Sequence, residues 1–208
     1  MKSTYEVIEN FSISNNKEVL FDINRKGINI AIWKRSPSKN IINYLDILSK
    51  IKNFSLQVNS KEIESIDKYL PIHYNHTELD FAKEMIQLSN LFAMITGSKE
   101  HNLHIATIEN TQCPLFHVDF LSYRMICTYI GPGTQWIPNF NADRNHLGCG
   151  RNNHLVKDFR LVRETENFDV ILMKGDTHPN DPNNGCIHKS PEIFNGSRIF
   201  IRIDGSLT

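Results

Sequence analysis

The pattern of hydrophobic and polar positions changes near the middle of this chain. Before Gly97, apolar residues recur mainly at three- and four-residue intervals, whereas after it they alternate with polar residues. The first spacing lines one face of a helix and the second lines one face of a strand. We therefore predict an α+β protein in which residues 1–98 are mainly helical and residues 99–208 form a β-rich core.

Three helices are predicted in the first half, over residues 38–54, 61–69 and 78–95. The first follows the start signal Ser36-Pro37-Ser38, and the last lies between an N-cap candidate, Thr77, and a C-cap candidate, Gly97. One strand is predicted in this half, within Ile28–Trp33, where β-branched residues follow a glycine.

Five strands are predicted in the second half from alternation and β-branched content. They cover Leu103–Ile108, Phe116–Phe120, Arg124–Ile130, Asp169–Lys174 and Ile199–Ile203. The polar segment Gln135–Asp158 is too long for an ordinary connection, and such loops are often functional lids.

Helices followed by many short strands predict a helical layer packed on one sheet of a β-sandwich or barrel. The expected core is a double-stranded β-helix, that is, a distorted jelly roll of the cupin type, within one domain spanning residues 1–208. The narrow end of such a fold gathers side chains from several strands around one metal ion.

The strongest candidate chemistry lies in the strand predicted at Phe116–Phe120. Alternation places His117 and Asp119 together on one side of that strand. His188, after a turn-rich loop, supplies a third potential ligand, and two imidazoles with one carboxylate are the facial triad of non-haem Fe(II) enzymes. The alternatives are a hydrogen-bonded structural pair for His117 and Asp119, and an ordinary loop histidine for His188.

Arg198 begins a strictly alternating segment. Ile199, Ile201 and Ile203 fall on one face, and Arg198, Phe200, Arg202 and Asp204 fall on the other. Asn195-Gly196 predicts a hairpin that returns the chain antiparallel beside its earlier course. We expect this hairpin to bring Arg198 near the cavity into which His188 would point. The charges either protect an exposed strand from edge pairing or include an inward arginine that binds a carboxylate through two N–H groups.

The H-x-D pair, the distal histidine and an arginine ten residues beyond it resemble the pattern of Fe(II)/2-oxoglutarate-dependent oxygenases. The resemblance implies that His117, Asp119 and His188 are the catalytic iron ligands and that Arg198 binds the distal carboxylate of 2-oxoglutarate. It also implies O2 as a co-substrate. Arg202 resembles a second arginine that some taurine-dioxygenase-like members direct at an anionic substrate.

A further resemblance covers about residues 103–204. Blocks similar to those of an uncharacterised bacterial family, known as a domain of unknown function, occur at Cys113–Asp119, Cys127–Trp136, Leu172–Gly175 and His188–Pro191. Members of that family often lie near zinc-limitation genes, which implies a role in metal physiology without specifying a reaction.

Several other residues are candidates for the same cavity. Thr128 is predicted in the co-substrate site, and Arg124, Tyr129 and Trp136 are predicted as substrate contacts, with core positions as the alternative. A looser cluster is formed by His146, Cys149 and His154, and its spacing fits no common zinc site.

The composition of the chain limits which binding partners are expected. Lys plus Arg and Asp plus Glu both number 23, so the zero formal charge favours neither nucleic acid nor an anionic membrane, and we expect a small-molecule or peptide substrate. The four cysteines form no C-x-x-C pair, and we expect free thiols. Neither a signal-peptide pattern nor a membrane-spanning run is present, so the expected location is cytoplasmic.

Three functions follow from these observations. The leading hypothesis is an oxygenase that oxidises a C–H bond of an unidentified small molecule or peptide. The alternative is a cupin-like metal-binding protein without oxygenase activity, linked to zinc homeostasis, in which Cys113 or Cys186 completes a closed site. A third possibility is an interaction module whose three candidate ligands bind no metal.

Overall fold

The computed structural model describes residues 9–36, 39–71 and 77–205. Within these ranges, ten strands form one seven-stranded and one three-stranded sheet. The strands are β1 Phe11–Ser14, β2 Ile30–Trp33, β3 Ser55–Asn59, β4 His101–Ile108, β5 Tyr123–Ile130, β6 Gln135–Ile137, β7 Arg163–Glu164, β8 Val170–Lys174, β9 Ile187–Lys189 and β10 Arg198–Gly205. The α-helices are α1 Lys39–Leu48, α2 Thr77–Thr96 and α3 Asn152–Leu155, and 3-10 helices cover Lys17–Asn24, Ser60–Tyr69, Asn139–Asn141, Arg144–His146 and Phe159–Leu161.

The large sheet has the strand order β1-β2-β8-β5-β10-β4-β3 and the small sheet has the order β7-β6-β9. All pairs are antiparallel except β1 with β2. Trp136 of the small sheet packs in one apolar cluster with Ile30, Ile126 and Phe200 of the large sheet. This cluster joins the two layers of the sandwich.

A helical layer covers the other face of the large sheet, as the sequence predicts. Ile199, Ile201 and Ile203 are fully buried in the cluster that also contains Phe81 and Leu45 of the helices. The alternation in β10 therefore turns its isoleucines towards the helices and its arginines towards the small sheet.

The predicted helices are confirmed with differences at their ends, and the one predicted over residues 61–69 is the 3-10 helix Ser60–Tyr69. Helix α1 ends at Leu48, earlier than the periodicity indicates, and Asn53 in the following turn has a left-handed backbone with φ of 54°. Gly97, with φ of 69°, donates its N–H to the carbonyl of Ala93 and ends α2 as predicted. Of the predicted start signal for α1, positions 37–38 lie outside the described residues.

Four details of the predicted topology are wrong. The short strands β1 and β3 are missing from the prediction, and both lie at edges of the large sheet. Phe116–Phe120 is not a strand, because only His117 forms a bridge, with His188. Gln135–Asp158 is not a continuous loop but begins with β6, the central strand of the small sheet. The predicted hairpin before Arg198 is also wrong, because β9 and β10 belong to different sheets.

None of the helices in the described ranges combines the length and the apolar character that a membrane span requires.

Candidate metal centre

His117 and His188 are joined through their own backbones. The N–H of each residue donates to the carbonyl of the other, with both N···O distances at 3.0 Å. On its other edge β9 pairs with β6, where Trp136 lies opposite His188. The ring centroids of the two histidines are 4.7 Å apart. A one-residue bridge thus brings the two imidazoles together although the H-x-D segment forms no strand.

Asp119 is positioned by the turn that follows β8. The N–H of Asp176 donates to the carbonyl of Asp119 at 2.9 Å, and the N–H of Gly175 donates to Ser122 at 3.0 Å. A Cβ on Gly175 would lie 2.6 Å from the carbonyl oxygen of Asp119 and would overlap that of Leu121. The glycine therefore permits the close approach that holds the aspartate opposite the histidines.

The three ligand atoms converge. Nε2 of His188 lies 3.2 Å from Oδ2 of Asp119, and Nε2 of His117 lies 3.7 Å from Oδ1. In the described part of the chain, His117, Asp119 and His188 form the one group of three potential metal ligands whose donor atoms lie within 4.8 Å of one another.

Backbone carbonyls orient both imidazoles. Nδ1 of His117 lies 2.9 Å from the carbonyl oxygen of Leu115, and Nδ1 of His188 lies 3.1 Å from that of Cys186. A carbonyl oxygen only accepts, so each Nδ1 carries a hydrogen and each ring turns its Nε2 towards the shared centre. Metal-binding histidines in proteins have this second hydrogen bond.

The electrostatics of the site keep Asp119 ionised. Burial raises the pKa of its carboxyl, but hydrogen bonds from His117 and His188 and the charge of Arg124 outweigh that effect and hold the pKa well below its usual range. The hydrogen bond to Asp119 raises the pKa of His117, with burial opposing it. A divalent cation would displace the proton that bridges these groups.

Arg198 is buried, with 3% of its surface exposed, and lines a cavity that His117 and His188 also line. Its Nη2 donates to Oγ1 of Thr128 at 2.8 Å and to Oγ1 of Thr134 at 2.9 Å. Its Nε is buried without a hydrogen-bond partner, and no described carboxylate lies within 4.0 Å of the guanidinium. Burial lowers the pKa of Arg198 to about 10, and Glu164 partly opposes this effect.

Thr134 is a site residue that the sequence analysis missed. It follows the Gly131–Gly133 turn, which packs so tightly that a Cβ on Gly131 would lie 2.7 Å from the carbonyl oxygen of Ser197 and one on Gly133 would overlap Thr165. The turn thereby holds Thr134 against Arg198. The available signal is the Gly-Pro-Gly-Thr sequence itself, which marks a turn that leads directly into β6.

A single cavity of about 60 Å³ connects these groups. Its lining includes His117, His188, Arg198, Thr134 and Phe200. The guanidinium of Arg198 stacks on the ring of Phe200, 4.8 Å from its centroid. The two predicted histidine ligands and the predicted carboxylate anchor therefore face one space.

A sequence profile with the description "Protein of unknown function (DUF1826)" matches residues 14–204 of this chain. The chain belongs to the DUF1826 family. The predicted resemblance to a domain of unknown function is thereby confirmed, and the match extends well into the N-terminal half. No curated protein sequence matches the chain.

Three solved structures are similar to this DUF1826 protein. A dioxygenase for auxin oxidation from rice has a TM-score of 0.56 and 8% identity, over 86% of this chain and 73% of the other. The auxin-oxidising dioxygenase 1 of Arabidopsis thaliana in complex with 2-oxoglutarate has a TM-score of 0.46 and 10% identity, over 92% and 77%. A Pseudomonas putida prolyl-4-hydroxylase has a TM-score of 0.47 and 9% identity, over 91% and 97%.

At these identities the similarity concerns the fold alone. Of these three matches, the rice enzyme has a TM-score above 0.5 and is used for the comparison of folds. Together with the two facing sheets, it confirms the predicted α+β jelly roll.

Two predicted substrate contacts of the DUF1826 protein lie elsewhere. Tyr129 points to the helical face of β5, opposite to Thr128, and donates to Glu84 at 3.1 Å. Trp136 is 1% exposed in the core between the sheets, where its ring lies 5.3 Å from that of Phe11. Both side chains occupy core positions, because alternation and inter-sheet packing direct these rings away from the cavity.

Arg124 and Arg202 do line the cavity. Arg124 donates to Asp119 and to Asp204, so its guanidinium already has two carboxylate partners. Asp204 is a second residue that the sequence analysis missed, although its alternation with Arg202 placed it on the correct face. Nε of Arg202 lies 2.9 Å from Oδ2 of Asp204, and its side chain is 35% exposed.

The other candidate metal clusters are less complete. The rings of His146 and His154 lie 5.6 Å apart and Asp143 contacts His146, but the sulfur of Cys149 hydrogen-bonds to the carbonyl of Arg151. Cys113 is exposed and Cys186 is buried, both as free thiols. Neither belongs to the three-residue group, so the described residues do not form the closed site expected for the alternative of a metal-binding protein without oxygenase activity.

Proposed function

We propose that this DUF1826 protein is a non-haem Fe(II)- and 2-oxoglutarate-dependent oxygenase. The observation that carries the proposal is Arg198, a buried cation without a carboxylate partner among the described residues, in the cavity that also receives His117 and His188. Leaving a buried charge without an opposite charge costs about 3–5 kcal/mol of free energy. A bound carboxylate would remove that cost.

The donor set fits Fe(II). Two neutral imidazoles and one ionised carboxylate leave coordination positions open for a co-substrate and O2. The hydrogen bonds from Nδ1 of His117 and His188 to backbone carbonyls hold both rings before any metal binds. With iron bound, the centre would couple conversion of 2-oxoglutarate and O2 to succinate and CO2 with insertion of one oxygen atom into a substrate C–H bond.

The chain's own residues would divide the remaining work. His117, Asp119 and His188 would hold the metal, and Asp119 would neutralise part of its charge. The guanidinium of Arg198 would bind the distal carboxylate of 2-oxoglutarate, with Thr128 and Thr134 fixing its orientation. Arg202, which lines the cavity with a partly exposed side chain, would offer a cation to a small-molecule or peptide substrate.

The buried Arg198 also favours an oxygenase over a metal-binding protein without oxygenase activity. A storage or sensor site gains nothing from a desolvated carboxylate anchor beside the metal. An exposed arginine would carry no such implication, because surface guanidinium groups are stable in water without partners.

The experiment is an oxygen pulse. Full-length apo protein is loaded with Fe(II) and 2-oxoglutarate without oxygen, air is admitted, and succinate is quantified per protein. The Zn(II)-loaded protein is the matched control, because Zn(II) occupies the ligands without redox chemistry. Succinate in the iron sample alone supports the proposal. Equal background succinate in both samples, with tighter retention of Zn(II), would contradict it and favour the zinc-linked alternative.

A further inference from the structure

One arginine connects a candidate metal ligand to the large sheet. Arg124 on β5 and Asp204 on β10 are directly opposed in the strand register. Nε and Nη2 of Arg124 donate to the two carboxylate oxygens of Asp204 at 2.6 and 3.0 Å. The remaining arm, Nη1, donates to Oδ1 of Asp119 at 2.5 Å.

We propose that Arg124 is a positioning residue that selects the oxygen with which Asp119 binds the metal. Arg124 occupies Oδ1, which leaves Oδ2 as the metal-binding oxygen. This inference rests on the proposed metal site but not on the identity of the co-substrate or the substrate.

The two oxygens of Asp119 have different surroundings. Oδ1 forms a charge-assisted hydrogen bond of 2.5 Å with Arg124 and lies farther, at 3.7 Å, from Nε2 of His117, whereas Oδ2 lies 3.2 Å from Nε2 of His188. A carboxylate with both oxygens free can bind a cation through both of them. With Oδ1 engaged, Asp119 fills one coordination position and keeps another open.

The carboxylate of Asp204 makes this arrangement rigid. A guanidinium that forms two parallel bonds with Asp204 has its plane fixed, so the direction of Nη1 is fixed as well. Oδ2 of Asp204 also lies 2.9 Å from Nε of Arg202, so a second guanidinium charge adjoins this carboxylate. The side chains of Arg124 and Asp119 are 15% and 13% exposed, so salt screens their contact only weakly.

A lysine could not replace this arginine. An ammonium group is a single point charge on a flexible stem, and it cannot bond to Asp204 through two parallel arms while directing a third at Asp119. Arg124→Lys therefore keeps the charge and removes the geometry, whereas Arg124→Met removes both.

The test uses Co(II) as the probe, because its visible absorption reports the number and arrangement of its ligands. Full-length wild-type protein, Arg124→Met, Arg124→Lys and the control Arg25→Met are titrated with Co(II). Arg25 has a 67% exposed side chain and contacts Asp22, away from the cavity. Thermal unfolding of each apo protein verifies that it is folded.

We expect the wild type and Arg25→Met to share one Co(II) spectrum and one affinity. Both Arg124 variants should have a changed spectrum and a dissociation constant raised by about 10–100-fold, the usual effect of losing a hydrogen-bond partner of a metal ligand. A wild-type spectrum in either folded Arg124 variant would overturn the inference. Failure of the wild type to bind Co(II) would instead overturn the proposed metal site.

Discussion

His117 and His188 exchange two backbone hydrogen bonds of 3.0 Å, so the residues that would bind the metal also connect the H-x-D segment to the small sheet. The relative position of the two imidazoles is therefore set by main-chain atoms and not only by side-chain packing. A centre fixed in this way is preorganised and should bind a divalent metal without a large rearrangement.

Removing one imidazole should abolish tight metal binding without unfolding the protein. In His188→Ala the bridge to His117 remains, because both of its hydrogen bonds use backbone atoms. We expect Fe(II) or Co(II) affinity to fall by more than about 100-fold, beyond the usual loss for an indirect contact. Calorimetric titration measures this effect, and His154→Ala, on the other histidine cluster, should retain wild-type affinity.

Removing the carboxylate anchor should affect the co-substrate and spare the metal. In Arg198→Met, the affinity for 2-oxoglutarate should fall by about 10–150-fold. This corresponds to the loss of a hydrogen bond to a charged group, which contributes about 1.5–3 kcal/mol of binding free energy. Metal affinity should stay within about twofold, since Arg198 contacts Thr128 and Thr134 and none of the ligands. Equilibrium binding of 2-oxoglutarate to the metal-loaded protein provides the measurement.

Arg160→Met is the matched control for that experiment, because the side chain of Arg160 is 89% exposed and pairs with Asp158. Loss of metal from Arg198→Met would show that Arg198 supports the metal centre and does not serve as a co-substrate anchor.

A single methyl group behind Asp119 should disrupt the site. Gly175→Ala places a Cβ against the carbonyl oxygens of Asp119 and Leu121, so the backbone must shift and the ligand must move with it. We expect metal affinity to fall by about 10-fold or more, as for other disturbances of ligand orientation.

Gly148→Ala is the comparison for Gly175→Ala. Its Cβ would meet nothing within 4 Å, but its φ of 77° makes the substitution strained. It should cost about 1–2 kcal/mol of unfolding free energy through the left-handed backbone alone and leave metal affinity unchanged. Equal metal affinities in the two alanine variants would disprove the steric explanation.

His101 should make stability depend on pH. It is buried against Ser89 and Phe92, and burial lowers its pKa below the model-compound value of 6.5. The unfolded chain therefore binds this proton at a higher pH than the folded chain does, so the contribution is present above pH 6.5 and is lost as the pH falls further.

Replacing His101 with glutamine should flatten this dependence. The slope of unfolding free energy against pH below 6.5 should decrease in His101→Gln, by at most about 1.4 kcal/mol per pH unit. Urea denaturation at pH 5 and pH 7 tests this prediction for the apo protein. Identical slopes for wild type and variant would rule out a titrating role for His101.

Parts of the fold with strong periodicity could be predicted from the sequence. Helix α2 and strand β10 extend over many residues, so their patterns repeat often enough to be distinctive. Strand β1 has four residues and β6 has three, which is too short for periodicity to separate them from loops. Their place is decided by pairing with distant strands, which no local pattern records.

The candidate site could also be predicted only in part, because local spacing is visible in the sequence and pairing between distant residues is not. His117 and Asp119 were found from their spacing, although the strand that justified the spacing does not form and a single bridge replaces it. Thr134 and Asp204 were missed because their roles depend on partners 64 and 80 residues away. The predicted hairpin was wrong, but Arg198 still reaches the cavity because the two sheets face each other.

If the protein is an oxygenase as proposed, one cavity holds Fe(II) and 2-oxoglutarate together. The most direct measurement is an oxygen-free titration of the apo protein with Fe(II) and then with 2-oxoglutarate, followed by visible absorption. We predict a charge-transfer band that saturates at one equivalent of each and is greatly weakened in Arg198→Met. Absence of the band in the wild type, with Zn(II) retained in preference to Fe(II), would contradict the account.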